Sequence, residues 1–300
     1  MNFFVGITDN NWHRFLAAKP DLEEVNFWQP SGRTPFKVLQ RGELFIFKLH
    51  MPEDYVVGYG IFGYSNILPI SLVWKFFDEN NGVSSLEEMK IRIKKYRGTA
   101  PEPFDDYNIG CIMLQNPVFL KESQWFKIPG WDKNIVQGKT YDLESETGKM
   151  IWKKLNARIP VLQGTEAPRY GKPTLIFPRL GQGTFKSLVL DTYNRHCAIT
   201  GEKILPVLES AHIKPYKDGG LHSVNNGILF KQDIHTLFDL GYVTVSQDYH
   251  FEVSKRIKTE FDNGRNYYLL HGKEISLPQQ STDQPDKSLL KWHNETIFRG

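Results

Sequence analysis

Three side chains able to handle protons and a cation lie close together in this chain of 300 residues: His212, Asn226 fourteen residues later, and His235 nine residues beyond that. They fall within Cys197 to Gly241, CAITGEKILPVLESAHIKPYKDGGLHSVNNGILFKQDIHTLFDLG. Leu205 to Ile213 is short and mostly apolar, Pro215 and the Gly219-Gly220 pair suit an irregular loop, and Ile228 to Phe230 form a second apolar run. In DIHTLFDL, the residues Ile234, Leu237 and Phe238 recur at helical spacing and make one buried face. The segment therefore reads as strand, loop, strand, helix. His235 and Asp239 are i and i+4 on that helix, so an imidazole and a carboxylate can point at one ion beside His212.

This stretch resembles the HNH nucleases, whose ββα-metal fold has these elements in this order. The likeness covers the forty-five residues quoted, with the His-Ile-x-Pro, Gly-Gly, Asn and His positions in register. Phosphodiester hydrolysis needs a nucleophile made from water, stabilisation of charge on the transition state, and help for the departing oxygen. The resemblance implies that His212 is the general base, a role suited to an imidazole of reference pKa ~6.5. It implies that Asn226 fixes the loop and orients the His212 ring through a hydrogen bond, and that His235 and Asp239 hold a divalent ion. Many members carry Asp directly before the first His. Here that residue is Ala211, and Glu209, two residues back on the same strand face, is the natural substitute as third ligand. Many members also carry paired CxxC zinc ligands, whereas Cys197 is followed by Thr200 with no second pair, so no structural zinc is expected. Mixed N and O ligands with open positions favour Mg, Mn, Co or Ni. Lys214, Lys217 and Lys231 lie on the substrate-facing loops, where positive charge would neutralise DNA phosphates; His222 is a further backbone contact or merely exposed.

The length exceeds what one small core needs and favours two domains. A composition 40% hydrophobic and 13% aromatic is that of a globular protein. Two cysteines, Cys111 and Cys197, expected in separate domains, argue against a disulfide framework and fit a reducing cytoplasm. No run approaches eighteen apolar residues and the N-terminus lacks a signal-peptide pattern, so no membrane association is expected. A net charge of +3 permits nucleic-acid binding without announcing it, because a phosphate-binding face can be local.

The first half is rich in strands. Phe3 to Ile7 is a candidate strand, and Asp9 or Asn10 can cap a helix bearing Trp12, Phe15 and Leu16. Leu44 to Leu49 and Tyr55 to Phe62 read as paired strands. Pro69 opens one helix, and Ser84 or Ser85 begins another, SLEEMKIRIKKYR, with acidic residues early and basic residues late. Ile109 to Leu114 and Val118 to Phe119 are again strand-like, and a helix covers Glu146 to Leu155. Sequential strands with helices at one end predict a small mixed barrel. On VGITDNNWHRFL, EVNFWQPSG, LFIFKLH, VVGYGIFGYS and this order, residues 1–157 resemble the EVE branch of the PUA superfamily, as found ahead of HNH nucleases in bacterial modification-dependent, type IV-like restriction enzymes. The resemblance implies nucleic-acid binding and a pocket for one extruded base. Such a pocket needs aromatic faces and polar groups that read the base edge. NFWQPSG, expected as a loop, offers Trp28 for stacking, Gln29 and Asn26 for hydrogen bonds, and Ser31 with Gly32 for close backbone approach. Tyr64, Trp125, Trp131 and Asp132 are further candidates. Tryptophans in a small barrel also fill cores, and both readings of each stand.

Residues 158–182, RIPVLQGTEAPRYGKPTLIFPRLGQ, change texture and read as the linker, whose Arg158, Arg169, Lys172 and Arg179 either follow phosphates or are simply exposed. Residues 183–300 form the nuclease domain, opened by the helix TFKSLVLDTYNRHC with Phe185, Leu188, Val189 and Thr192 on one side. After the HNH core come a hairpin-like pair, Tyr242 to Ser246 with His250 to Val253, a turn at Asn263-Gly264, and a closing helix in SLLKWHNETIF that packs Leu289, Leu290, Trp292 and Phe298. The fold class is α+β, a PUA-like barrel followed by a ββα-metal domain. The family likeness implies an endonuclease of phage defence that flips a modified cytosine, carrying a 5-methyl or 5-hydroxymethyl group, into the N-terminal domain and cuts double-stranded DNA nearby. A homodimer is compatible with a double-strand break. Two other readings stay open: an HNH nuclease of a mobile element or repair pathway indifferent to modification, and a nucleic-acid reader with a degenerate nuclease domain, which Ala211 keeps alive.

Overall fold

The run LFIFKL has almost no polar face, and the strand it makes is buried along its whole length at the centre of the N-terminal half. The computed structural model describes residues 2–97, 106–156 and 179–300. It divides into two compact units, Met1–Leu180 and Gly181–Gly300. Arg158, Arg169 and Lys172 of the expected linker lie outside the described residues.

The first unit contains β1 (Asn2–Thr8), α1 (Asn10–Ala17), β2 (Glu24–Gln29), β3 (Leu44–Leu49), β4 (Val56–Pro69), α2 (Ile70–Phe77), α3 (Leu86–Arg97), β5 (Asn108–Phe119), β6 (Gly138–Asp142) and α4 (Glu146–Asn156). The strands form one six-stranded mixed sheet in the order β2-β5-β4-β3-β1-β6. Among the described residues only β1 and β3 pair in parallel, Phe3 opposite Leu44 through Thr8 opposite Leu49. No pairing among the described residues joins β6 to β2, so the expected barrel is an open sheet in its hydrogen bonding. Asp9 caps α1, its carboxylate accepting from the amides of Asn11 (2.8 Å) and Trp12 (3.0 Å), which supplies partners to orphan helix-start donors. Phe27, Phe45, Phe47, Phe119 and Trp12 pack edge-on, tilted or, for Phe47 on Phe119, stacked, with ring centroids 4.7–6.3 Å apart. On the other face of β3, Lys48 is buried at 1% exposure, where it forms an ion pair with Asp54 and lies 4.6 Å from the Trp131 ring; a buried ammonium needs such a partner.

Several strand boundaries differ from expectation, β4 for one running on to Pro69 and not ending at Phe62. NFWQPSG is not all loop: β2 runs through Gln29 because β5 offers it a ladder, Trp28 opposite Cys111 and Gln29 opposite Gly110. Pro30, which has no N–H to donate, follows its end. Ile109 to Leu114 and Val118 to Phe119 are likewise one strand, β5, with Asn116 at φ 45° inside it.

The second unit contains α5 (Gln182–Thr192), β7 (Leu208–His212), β8 (Gly227–Lys231), α6 (Gln232–Asp239), β9 (Val243–Val245), β10 (Phe251–Val253), α7 (Arg256–Phe261), α8 (Arg265–Tyr268) and α9 (Lys287–Thr296). β7 and β8 are antiparallel, Leu208 opposite Lys231 and His212 opposite Gly227. Phe185 and Val189 of α5 lie over Gly227, leaving no room there for a side chain. In α9, Leu290 and His293 are the buried positions, while Leu289 and Trp292, and Phe298 just beyond its end, are half-buried. His293 bonds the Phe238 carbonyl (3.1 Å) and Thr244 Oγ1 (2.8 Å), tying the C-terminal helix to α6 and β9. Burial lowers its pKa to about 4. Cys111 and Cys197 are free and buried, one in each unit. No helix among the described residues is long and apolar enough to cross a membrane.

Asn81, fully buried, is the tie between β2 and the turn after α2: its Oδ1 accepts from Asn26 Nδ2 (2.8 Å) and its backbone carbonyl from Trp28 Nε1 (3.0 Å). Asn81→Ala strands the Asn26 amide away from water, so thermal and urea unfolding should show a loss of about 1–3 kcal/mol. An unchanged melt would mean that the Asn26 amide finds another partner.

Candidate active site

The β7–β8 hairpin and α6 bring His212, Asn226, Glu209, His235 and Asp239 onto one small framework. His212 ends β7, half-buried, its ring stacked flat on Phe185 of α5 at 3.9 Å between centroids and 14° between planes. Its Nε2 lies 2.9 Å from His222 Nδ1. Burial lowers the His212 pKa to about 4, helped by the charges of His222, His235 and Lys186. The imidazole is therefore neutral at physiological pH and holds a lone pair, as a general base must.

Asn226 is fully buried at the end of the β7–β8 loop. Its Oδ1 accepts from the Lys214 amide (2.9 Å), and its Nδ2 donates to the carbonyls of Lys214 (2.9 Å) and Leu221 (2.8 Å). Both amide protons are thus used on the loop, and none reaches His212. The expected hydrogen bond from Asn226 to the His212 ring is absent; ring stacking and His222 hold that ring instead. The clamp draws the loop so tight that a Cβ on Gly220 would lie 1.8 Å from the Lys214 carbonyl oxygen.

His235 stands between two carboxylates. Its Nδ1 is 2.9 Å from Glu209 Oε2, and its Nε2 is 3.3 Å from Asp239 Oδ2. Burial raises the Asp239 pKa and Glu209 adds to this, against the opposing pull of His235 and Lys217.

The other predicted cluster resolves differently. In the first unit a cavity of about 790 Å3 is lined by Trp28, Gln29, Ser31 and Gly32 from the expected set. Thr8, Asp9, His50, Tyr96 and Asn108 also line it, and none of these was legible as a pocket residue. Trp28 is held by its indole N–H, and its ring lies 6.2 Å from Tyr96. Tyr96 stacks with His50 and donates its hydroxyl to Asp9 at 2.6 Å. Burial pushes the Asp9 pKa up, but Tyr96, the Trp12 and Asn11 amides and Arg92 outweigh it and leave it lowered. Gly32 lets the chain pass against Asn108, where a Cβ would sit 2.3 Å from the carbonyl oxygen. Asn26, Tyr64, Trp125, Trp131 and Asp132 do not line the cavity. Asn26 is spent on Asn81 inside the core. Trp125 and Trp131 pack on the hydrophobic core, Trp125 donating to the Leu120 carbonyl. Asp132 accepts from the Asn134 amide in a turn.

Residues 197–246 match the family model described as HNH endonuclease. The second unit carries an HNH endonuclease domain. No curated protein matches the chain. Among solved structures, an ASCH protein from Zymomonas mobilis is similar at 9% identity, with 52% of this chain and 94% of that one covered and a TM-score of 0.33. The modification-dependent TagI restriction endonuclease is similar at 13% identity, covering 97% of this chain and 81% of that one, with a TM-score of 0.29. Superpositions at these scores assign no function.

HNH nucleases generally use a divalent metal, and the donors here fit one in part. Two ligands each ~2.1 Å from one ion, at angles between octahedral and tetrahedral, are themselves ~3.0–3.4 Å apart. The 3.3 Å between His235 Nε2 and Asp239 Oδ2 matches that spacing. When this imidazole is neutral its one N–H serves only one of the two carboxylates, and donated to Glu209 it leaves the Nε2 lone pair facing Asp239, where a cation would fit. Glu209 is on the other ring nitrogen. Among the described residues no three His, Cys, Asp or Glu side chains form a group ready to hold an ion, and Glu209, the expected third ligand, lies against the Nδ1 side of the His235 ring and not beside Nε2 and Asp239. Lys217 is exposed, Lys231 pairs with Asp233 at 3.5 Å, and Lys214 lies over the Trp292 ring at 5.2 Å.

This geometry separates two roles for Glu209. Glu209→Ala should weaken manganese binding about 10–100-fold, as loss of a carboxylate behind a ligating histidine does. Glu209→Gln keeps an acceptor for Nδ1–H and should lose less. Calorimetry that finds both variants as poor as Asp239→Ala would return Glu209 to direct ligation.

Proposed function

We propose that the chain is a modification-dependent DNA endonuclease: the first unit holds a modified cytosine, 5-methyl or 5-hydroxymethyl, extruded from the duplex, and the HNH domain cuts the backbone. The observation that carries the recognition half is the N-terminal cavity. Its volume, about 790 Å3, falls in the ~300–1,000 Å3 range of ligand sites. Trp28 and Tyr96 offer ring faces for stacking, and Asp9 and Gln29 offer groups for a base edge. Thr8 Oγ1 is buried on its wall with no hydrogen-bond partner among the described residues. A buried hydroxyl left unpaired is costly, and a ligand would satisfy it.

In the cutting half, His212 takes a proton from water, and the resulting hydroxide attacks phosphorus. His235 and Asp239 would hold the divalent ion, which when bound supplies charge stabilisation at the phosphate and the leaving 3′ oxygen. Glu209 keeps the His235 ring in the tautomer that presents Nε2. Lys217, whose charge acts on Asp239, would favour an anionic backbone without reading sequence. Recognition that turns on one methyl group is worth only ~1–3 kcal/mol, so preference for modified DNA is graded.

Digestion of matched plasmids carrying cytosine, 5-methylcytosine, 5-hydroxymethylcytosine or its glucosylated form, with Mg or Mn present, tests the whole reading. Cleavage should favour one modified plasmid, His212→Ala should be inactive with DNA binding intact, and Trp28→Ala should remove the preference, since stacking on an extruded base is worth roughly 1–3 kcal/mol. Equal cutting of all plasmids by the wild-type protein would favour a mobile-element or repair nuclease. No metal-dependent cutting at all would favour a reader with a degenerate nuclease domain.

The pKa of His212 gives a separate test. Lowered to about 4, the base stays unprotonated well below the ~6.5 of a free imidazole. The acidic limb of the single-turnover rate should therefore fall near pH 4 to 5, and a limb centred near 6.5 would argue that His212 is solvated during the reaction.

A further inference from the structure

The structure assigns His222 a task that its place in the chain did not suggest: we propose that it is a positioning residue that sets the tautomer of His212, an inference resting on the reading of His212 as the general base. His222 Nδ1 meets His212 Nε2 at 2.9 Å. Its ring is held flat against Tyr216, 4.9 Å between centroids and 6° between planes. His212 in turn is fixed by its stack on Phe185. Phe185, His212, His222 and Tyr216 thus form a continuous set of ring contacts running from α5 to the loop.

A hydrogen bond between two neutral imidazoles carries one proton, and its owner decides what the other ring nitrogen can do. If His222 owned it, neutral His212 would carry its own proton on Nδ1 and could accept none there. If His212 owns it on Nε2, Nδ1 presents a lone pair. Among the described residues His212 Nδ1 has no hydrogen-bond partner, so it is the nitrogen open to a water molecule. We place the proton on His212 Nε2, with neutral His222 as acceptor, because this arrangement leaves the lone pair on the nitrogen open to water. In the reaction one proton passes from water to His212 Nδ1, and the hydroxide electron pair forms the new P–O bond. The bond to the 3′ oxygen breaks, that oxygen takes a proton from solvent, and His212 returns its proton to solvent. Throughout, the Nε2–H stays on the bond to His222, which shares the charge of the transient imidazolium. His222, His235 from α6 and Lys186 from α5 are the charged or titratable groups acting on His212; His222 is the one hydrogen-bonded to it. The requirement falls on an acceptor. That distinguishes the role from the phosphate contact expected from sequence, which requires a donor.

Two substitutions in the full chain separate these roles, read as kcat and KM on a plasmid that the wild-type protein cuts with manganese. Gln can accept the Nε2 proton through its amide oxygen, whereas Arg has five donors and no acceptor. His222→Gln should keep kcat within about threefold, and His222→Arg should lose about 10–100-fold in kcat with KM little changed, the range seen when a group supporting a functional histidine is removed. The reverse order, Arg active and Gln weakened mainly in KM with a shallower salt dependence, would assign His222 to phosphate and overturn the proposal. Equal, near wild-type rates for both would also overturn it. Should the Arg protein fail to fold by circular dichroism, Tyr216→Leu replaces it: lost stacking should lower kcat several-fold at constant KM, and an unchanged kcat refutes the positioning role. His212→Ala is run alongside; if it cuts at the wild-type rate, the base reading itself fails and this inference with it, whereas an inactive His212→Ala beside indifferent His222 variants sinks this inference alone.

Discussion

The nuclease half depends on one buried amide. Asn226 has no exposure to solvent and spends both protons and its carbonyl on the backbone of residues 214 and 221. A buried amide with three good partners is rigid because any movement leaves a polar group unpaired. That rigidity closes the β7–β8 loop and fixes how His222, carried on it, approaches His212. It also explains the loop's composition, since Gly220 sits where any side chain would strike the Lys214 carbonyl. The second histidine of the motif is fixed by different means, between carboxylates on its two ring nitrogens.

Electrostatics then divides the labour among similar groups. His212 is packed against Phe185 and loses its charge to burial, which suits a proton acceptor. Asp239 is raised by burial and by Glu209, an unfavourable concentration of negative charge that a divalent cation would relieve. A neutral imidazole beside a pair of carboxylates kept close is the division that the proposed hydrolysis calls for. Each half follows from what the side chain is packed against, not from its residue type.

The first unit follows the same logic with different chemistry. Its sheet is centred on a strand buried along its length, and the aromatic side chains that fill the interior leave the cavity on the side where β2, α1 and α3 contribute residues. Trp28 reaches that cavity only because β2 pairs with β5 as far as Gln29 and Asn81 holds its indole. Polar groups that look available in the sequence are divided between the two environments: Asn26 is consumed by the core, while the Thr8 hydroxyl on the cavity wall has no partner among the described residues.

The chain's local chemistry was readable without a structure. The strand–loop–strand–helix of residues 197–241, the cap at Asp9, the helix start at Pro69 and the helices in SLEEMKIRIKKYR and SLLKWHNETIF follow from periodicity, capping residues and turn residues, which act over a few positions. The i, i+4 relation of His235 and Asp239 is of this kind, and the two side chains do meet. What could not be read were the partners. That Asn226 bonds the loop backbone and not His212, that Glu209 takes the far nitrogen of His235, and that β2 continues through Trp28 were decided by strand register and ring orientation. The cavity likewise gathers residues from positions 7 to 137. Hydrophobic pattern dictates which residues are buried, but a hydrogen bond depends on distances of tenths of an ångström between groups far apart in sequence, and only the packed tertiary structure sets those.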